Sequence, residues 1–205
     1  MTDYAKCLVR SVLAGMAIGV GGCVYLGCDV KWVGAVLFAI GLITIFSFRL
    51  DLYTGKVGYT FDNKPPYLLY LAVVILGNFI GTLIIGTMMP LEAAEVLAQA
   101  KLSNYEFLPV LFKGVLCGML MFIAADTYKN TKSFLPTLFC VPVFILAGFE
   151  HSIADMFYMC SAGAFSMDSL VFILTVLLGN GIGGVLIPVC GKWMYEDAVA
   201  KTESK

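Results

Sequence analysis

Long intervals without any charged side chain are the feature that most constrains this chain of 205 residues. Five intervals of 17 to 27 residues contain no Asp, Glu, Lys or Arg: residues 11–28, 32–48, 65–91, 133–149 and 169–191. A sixth apolar stretch, residues 107–125, is interrupted only by Lys113. A membrane-spanning helix needs roughly 20 mostly apolar residues. The sequence therefore predicts six transmembrane helices, with too little chain left for a separate soluble domain.

The composition agrees with a protein whose main partner is the lipid bilayer. The chain is 60% hydrophobic and 13% charged, whereas soluble domains are roughly half apolar and a quarter charged. The formal net charge of −1 gives no reason to expect a nucleic-acid partner. The cysteines and the single histidine show no metal-ligand spacing, so we expect neither a metal nor a cofactor.

Basic residues are distributed unevenly between the two sides of the membrane. Six spans place both termini on one side, together with the loops after the second and fourth spans. Ten of the thirteen Lys and Arg residues fall on that side, and only Lys31, Lys101 and Lys113 fall on the other. Cytoplasmic loops carry an excess of Lys and Arg. We therefore predict an integral inner-membrane protein with both termini in the cytoplasm.

The two halves of the chain repeat each other. Two pairs of matching segments have offsets of 103 and 102 residues: 12–16 with 115–119, and 77–81 with 179–183. Each half holds three predicted spans, so the second copy enters the membrane in the opposite direction. We predict a single channel domain over residues 1–205, in which inverted repeats cover about residues 9–90 and 107–190.

Polar residues interrupt two of the predicted spans at corresponding places. Span two continues into RLDLYTGK at residues 49–56, and span five continues into GFEHSIAD at residues 148–155. Ionisable groups at membrane depth usually face a protein interior or a water-filled cavity. Inverted repeats place the substrate site near the midplane, where such broken helices meet. Both halves are therefore predicted to supply polar residues to one central site.

These motifs resemble those of the formate/nitrite transporter family, pentameric channels for small monovalent anions. GFEHSIA at residues 148–154 is similar to the family's signature in span five, and DLYTG at residues 51–55 is similar to its E-L-F-T-G motif in span two. The Gly-Asn pairs at residues 77–78 and 179–180 also fit. The resemblance implies an all-α, aquaporin-like protomer with its own pore, a homopentamer and a small monovalent anion as substrate.

The resemblance also implies roles for individual side chains. Phe38 and Phe144 are similar to the residues of an outer hydrophobic constriction, and Leu42 is similar to an inner one. Thr54 is similar to the hydroxyl that faces a central chamber. His151 is similar to the titratable donor of that chamber. Without the resemblance, the three apolar residues would be assigned to ordinary packing.

The predicted mechanism neutralises the anion before it crosses an apolar constriction, since a bare anion loses much solvation there. By resemblance, Lys101 concentrates the anion in a vestibule. His151 then donates or shares a proton, because imidazole titrates near neutral pH. Two structural alternatives remain at this point: His151 could be a neutral histidine bonded to the backbone, and Thr54 could bond a carbonyl one turn back.

Further polar residues are expected to support the central site. We interpret Glu150 as a carboxylate that satisfies backbone donors of the broken helix, with Asp51 as its counterpart in the first half. Asn78 and Asn180, from the two glycine-asparagine pairs, are also expected to support the central site.

Four positions depart from the family pattern and leave the solute open, so a channel of this fold could select a different small or neutral molecule. Lys56 and Asp155 stand where asparagine is usual, Arg49 replaces a small residue, and Gly118 replaces an asparagine. Because Lys56 and Asp155 carry opposite charges at equivalent positions, we predict an ion pair between them. The alternative is that each reaches solvent separately.

An intramembrane hydrolase is the alternative from a different class, because Ser152 follows His151 and Asp155 is near. Adjacent residues on a helix point roughly 100° apart, however, so Ser152 does not face His151. A lone histidine also cannot supply a usual zinc ligand set. We therefore expect no enzymatic activity. A purely structural membrane protein is a third possibility, against which the polar breaks argue.

Overall fold

The computed structural model describes residues 3–203, with side chains described for residues 3–194. Lys205 and the side chain of Lys201, both counted in the charge bias, lie outside this part. The described residues form nine α-helices and one 3₁₀ helix: α1 (Tyr4–Leu26), α2 (Lys31–Ser47), α3 (Tyr53–Lys56), the 3₁₀ helix (Val57–Asp62), α4 (Pro66–Met88), α5 (Glu92–Ser103), α6 (Phe107–Thr131), α7 (Leu135–Leu146), α8 (Ser152–Ser161) and α9 (Met167–Glu203).

The long helices and the two shorter apolar ones lie where the sequence has its apolar segments. Four of them are long and apolar enough to cross a membrane, namely α1, α4, α6 and the part of α9 up to Met194. Two shorter apolar helices, α2 and α7, correspond to the interrupted spans. The short helix α5 lies between α4 and α6 and was not predicted, because twelve residues with three charged side chains give no span signal. The protein is an all-helical integral membrane protein.

Close backbone contacts join the long helices in two pairs, α1 with α4 and α6 with α9. A Cβ atom at Gly15 would overlap the backbone carbonyl of Asn78, and a Cβ atom at Gly118 would overlap that of Asn180. Small residues allow helices in a membrane to approach this closely. Gly118, one of the four departures from the family pattern, is therefore a helix-packing residue.

Both interrupted spans break where the sequence predicted. The first break separates α2 from α3 at residues 48–52, and the second separates α7 from α8 at residues 147–151. Non-helical backbone at membrane depth is tolerated only where protein buries it or where it lines a cavity. Asp51 and His151, at the ends of the two breaks, are only 2% and 1% exposed. The last residues of each break are therefore buried, whereas residues 48–49 and 147–148 at its start are exposed.

The second residue of each break is in the left-handed conformation, Arg49 with φ of 53° and Gly148 with φ of 69°. In each, the following amide donates to a carbonyl oxygen five residues earlier at 2.9 Å. Such a left-handed residue is a common helix terminator, and it is usually glycine. An L-residue with a side chain costs roughly 1–2 kcal/mol in this conformation. Glycine would avoid this cost at the position that Arg49 occupies.

Candidate functional site

A buried asparagine anchors the second break to the long helix α9. Asn180 Oδ1 accepts a hydrogen bond from the Ser152 amide at 2.8 Å. Its Nδ2 donates to the carbonyl oxygens of Glu150 at 2.9 Å and Gly114 at 2.8 Å. Buried backbone groups need such partners, because an unsatisfied one costs roughly 1–3 kcal/mol. One amide side chain thus stabilises both the break and its contact with α6.

Asn78 makes the equivalent three hydrogen bonds at the first break. Its Oδ1 accepts from the Tyr53 amide at 3.0 Å, and its Nδ2 donates to the carbonyl oxygens of Asp51 at 2.9 Å and Ser11 at 2.8 Å. The prediction that the Glu150 carboxylate satisfies the backbone donors of the break is wrong. The asparagine amides do so, because they supply both a donor and an acceptor.

His151 immediately precedes helix α8, and both of its ring nitrogens form hydrogen bonds. Its Nδ1 accepts from the Ala154 amide at 3.1 Å, and its Nε2 lies 3.1 Å from Thr54 Oγ1. The ring stacks on Phe144 with centroids 5.4 Å apart. Because Nδ1 is an acceptor, the proton of the neutral ring lies on Nε2 and is donated to Thr54. The hydroxyl of Thr54 therefore meets the imidazole of the other break.

The position of His151 favours its neutral form. It is the N-terminal cap of a ten-residue helix, and the positive end of a helix dipole disfavours a cation there. The backbone bond that the sequence left as an alternative is present, and so is the contact with Thr54. His151 is 1% exposed and Thr54 is fully buried. The pair lies where two interrupted helices meet inside the protein.

The two phenylalanines assigned to the outer constriction lie together. Phe38 and Phe144 meet edge to face, with ring centroids 6.0 Å apart and an interplanar angle of 89°. Both are buried, and so is Leu42, one helical turn after Phe38. The structure thus places Phe38 and Leu42 on α2 and brings Phe144 from α7 against both Phe38 and His151. Their roles as constrictions stay predictions.

Lys101 holds two carboxylates instead of facing a vestibule alone. Its ammonium contacts Glu150 and lies 3.1 Å from Asp155 Oδ1. The side chains of Lys101, Glu150 and Asp155 are 15%, 7% and 1% exposed. We refer to these three residues as the Lys101 cluster. Asp155 Oδ2 is buried and has no hydrogen-bond partner among the described residues.

The first break has its own cluster, and it contains a residue that the sequence analysis missed. Asp51 lies 2.7 Å from Arg10 Nε and 3.1 Å from Lys56 Nζ. We refer to Arg10, Asp51 and Lys56 as the Asp51 cluster. The only sequence signal for Arg10 is its place at the edge of a charge-free interval.

The predicted ion pair between Lys56 and Asp155 is wrong. Each of the two finds a partner near its own break, since Lys56 bonds to Asp51 and Asp155 bonds to Lys101. The reason is local geometry: Lys56 lies little more than one helical turn beyond the carboxylate of Asp51. Asp155 lies on α8, against which α5 packs and presents Lys101.

Two cavities adjoin these clusters. The first, of about 150 Å³, is lined by His151, Phe144, Lys101 and Asp155 among others, and we call it the histidine cavity. The second, of about 450 Å³, is lined by four basic residues and is called the basic cavity: Arg49, Lys56, Lys129 and Lys132. Basic groups around a cleft concentrate anions by focusing the field. Of these four basic residues, Lys56 is the one that forms an ion pair within the described part of the chain, with Asp51.

The geometry does not form a serine-histidine catalytic pair. Both nitrogens of His151 bond to other groups, and Ser152 Oγ has no hydrogen-bond partner within the described part of the chain. A nucleophile needs its base within hydrogen-bond reach. Residues 3–194 also contain no cluster of three His, Cys, Asp or Glu side chains that could hold a metal ion.

The family model for formate/nitrite transporters matches residues 2–194. The chain belongs to the formate/nitrite transporter family. The nitrite transporter NirC of Escherichia coli (strain K12) is 26% identical over 183 residues, 76% of this chain and 68% of that protein. NirC of Salmonella typhimurium is 29% identical over 137 residues, 58% of this chain. The chain matches about half of the Salmonella protein's length, 51%.

Solved channel structures share the fold of this chain. A structure described as an FNT family ion channel aligns with 94% of this chain and 90% of its own, with a TM-score of 0.84 and 23% identity. A pentameric formate channel with formate bound aligns with 94% of this chain and 97% of its own, with a TM-score of 0.76 and 21% identity. At this level of identity, the two neighbours establish the helical architecture alone.

Proposed function

We propose that the protein is a membrane channel or transporter for small monovalent anions of weak acids, the class of formate, nitrite and hydrosulfide. The observation that carries the proposal is the contact between Thr54 and His151. It joins polar groups of two interrupted helices beside the Phe38–Phe144 pair. Membership of the formate/nitrite transporter family supports the same substrate class.

The proposed pathway runs from the basic cavity, past Leu42, to Thr54 and His151, and then past the two phenylalanines to the histidine cavity. The basic cavity draws anions in. Thr54 and His151 then offer hydrogen bonds from uncharged groups, which hold an anion weakly enough to let it leave. The apolar constrictions on either side favour the neutral acid, because an anion would lose its hydration there.

The fuller architecture is also part of the proposal. We infer six spans, built as two inverted repeats with α2 and α7 as the interrupted members. The equivalent hydrogen bonds of Asn78 and Asn180 support this arrangement. The excess of basic residues on one side supports cytoplasmic termini in an inner membrane. The neighbour that is a pentameric formate channel supports a homopentamer in which every protomer has its own pore.

Flux into liposomes that contain only this protein tests the proposal. Formate, nitrite, hydrosulfide and lactate are compared with glycerol as a neutral solute, and protein-free liposomes set the background. We expect the small anions to enter faster than glycerol. Thr54→Val, which keeps the shape of the side chain but removes its hydroxyl, should reduce anion flux. Flux of glycerol alone, or flux equal to the background, would reject the anion-channel function.

The constriction is tested by enlarging it. Phe38→Ala and Phe144→Ala should admit lactate relative to formate, because each removes a ring from the Phe38–Phe144 contact. Phe112→Ala is the matched control, since Phe112 is 62% exposed on the surface of α6. Unchanged selectivity in both single variants and in the double variant would return these two rings to ordinary packing.

A further inference from the structure

The Lys101 cluster is buried and its charges do not balance. Two carboxylates share one ammonium, which leaves one formal negative charge if every group is ionised. Removing an uncompensated charge from water is expensive, and buried groups commonly avoid the expense by changing their protonation state. Two carboxylates that share one site also oppose each other's ionisation. One bound proton would make the cluster neutral.

The hydrogen bonds identify which carboxyl group has room for that proton. Glu150 contacts Lys101 directly, and Asn180 holds its backbone carbonyl. Asp155 uses only Oδ1 for Lys101, while Oδ2 is buried without a hydrogen-bond partner among the described residues. A bare carboxylate oxygen in such a place is unfavourable, whereas a protonated one becomes a donor. Asp155 is also one of the residues that line the histidine cavity.

We propose that Asp155 binds a proton in the Lys101 cluster and transfers it to an anion in the histidine cavity. This inference rests on the proposed anion-transport function. In the transfer, the O–H bond of Asp155 breaks and an O–H bond forms on formate or nitrite. The neutral acid results, and Asp155 becomes a carboxylate beside Lys101. Water on the α5 side then returns a proton to Asp155. In the opposite direction the acid gives its proton to Asp155.

His151 is poorly placed to be the primary proton source. Its Nδ1 already caps α8, and its Nε2 proton is donated to Thr54. A neutral imidazole in this arrangement could donate its proton only by becoming an anion, and it could gain one only by losing the cap. Asp155 lies in the same cavity and needs neither change. An asparagine, usual in the family at this position, could not bind the proton.

The titration of Asp155 depends on groups from several elements. Lys101 comes from α5 and Glu150 from the second break, and both contact it or its partner directly. His151, Tyr25 of α1 and Tyr158 of α8 line the same cavity. On the side of α6 the nearby titratable group is Cys117, which is fully buried. Burial and the charges of Lys101 and Glu150 therefore act on Asp155 together.

Formate flux at equal pH on both sides of the liposome membrane tests the transfer. Wild-type flux should fall as the pH rises and Asp155 loses its proton. Asp155→Asn should have a flatter profile and should be slower at the acidic end by roughly a hundredfold, the low end of what a positioned proton donor contributes. Asp168→Asn, which removes an exposed acid at the start of α9, should match the wild type.

Infrared spectroscopy gives a second measurement that needs no transport. The wild-type protein should show the C=O band of a protonated carboxyl group at neutral pH, and ¹³C-aspartate labelling should shift it. Asp155→Asn should lack the band, whereas Asp168→Asn should keep it. Parallel pH profiles of flux for wild type and Asp155→Asn would overturn the inference, and so would a wild-type protein without an aspartate band. Absence of wild-type flux for every anion would instead reject the proposed function.

Discussion

The two helix breaks share one backbone arrangement but carry opposite charge. Each has a left-handed residue at its second position, and each is held by three hydrogen bonds of a buried asparagine. In the first break, however, Asp51 meets the two cations Arg10 and Lys56. In the second, Glu150 and Asp155 share one cation. The hydrogen bonds of the asparagines are thus equivalent in the two breaks, and the side-chain charge is where the breaks differ.

The difference gives the two ends of the proposed pathway different tasks. The Asp51 cluster has one positive charge in excess and adjoins the basic cavity, so this end attracts anions. The Lys101 cluster has a carboxylate in excess and adjoins the histidine cavity, so it repels anions unless it binds a proton. The common scaffold positions the helices, and the unequal charges give the two ends of the proposed pathway different chemistry.

The largest expected effect comes from breaking what the two regions share. Asn78→Ala and Asn180→Ala each leave one amide and two carbonyl groups without their side-chain partner. At roughly 1–3 kcal/mol for each group, either variant should lose 3 kcal/mol or more of stability.

The melting temperature in detergent is the measurement, and Asn63→Ala is the control, because Asn63 makes one exposed hydrogen bond. The melting temperatures of Asn78→Ala and Asn180→Ala should fall by similar amounts. A large loss for one asparagine and none for the other would show that the breaks do not share a scaffold.

Removing one lysine from each cluster should have unequal effects. Lys101→Met leaves two buried carboxylates with no cation, and breaking such a buried pair costs about 3–5 kcal/mol. Lys56→Met leaves Asp51 bonded to Arg10 at 2.7 Å, and a partly exposed ion pair is worth about 1 kcal/mol or less. Thermal unfolding of the two variants at neutral pH measures the difference. Equal losses would contradict the charge imbalance between the clusters.

The smallest expected effects come from the left-handed residues. Gly148→Ala should destabilise the protein by roughly 1–2 kcal/mol, because a Cβ there meets no neighbour and only the backbone conformation becomes unfavourable. Arg49→Gly should stabilise it by about 1 kcal/mol for the converse reason. Lys132→Gly is the control for Arg49, since Lys132 has a φ of 60° at the end of α6, outside the breaks. Melting temperatures that move in the opposite directions would exclude this explanation of the break geometry.

The helical segments and the breaks could be predicted because they depend on local sequence. Charge-free intervals are long enough to span a bilayer, and polar runs at residues 49–56 and 148–155 interrupt two of them. The repeat offsets also indicated Asn78 and Asn180. Helix α5 escaped prediction because the prediction rests on apolar stretches long enough to span a bilayer, and its twelve residues include three charged side chains.

Partners of the buried charges could not be predicted, because an ion pair depends on which helices pack together. Equivalent positions suggested that Lys56 pairs with Asp155, but equivalence across a pseudo-twofold relation does not bring two side chains into contact. Arg10 and Lys101 lie far along the chain from Asp51 and Asp155, and only the packing of α1 and α5 brings them together. The tautomer of His151 likewise depends on its cap and on Thr54.

Formate flux through His151→Asn tests most directly whether anions pass between the two breaks. Asparagine is a good N-terminal cap, so α8 should persist and the melting temperature should change little. The shorter side chain loses the contact with Thr54 and the hydrogen bond that His151 offers to the anion. Flux should therefore fall at every pH by roughly tenfold, the value of one hydrogen bond to a charged group. Asn130→Ala, an exposed substitution on α6, provides the matched control. A folded His151→Asn variant with wild-type flux and a wild-type pH profile would contradict a pathway beside this histidine.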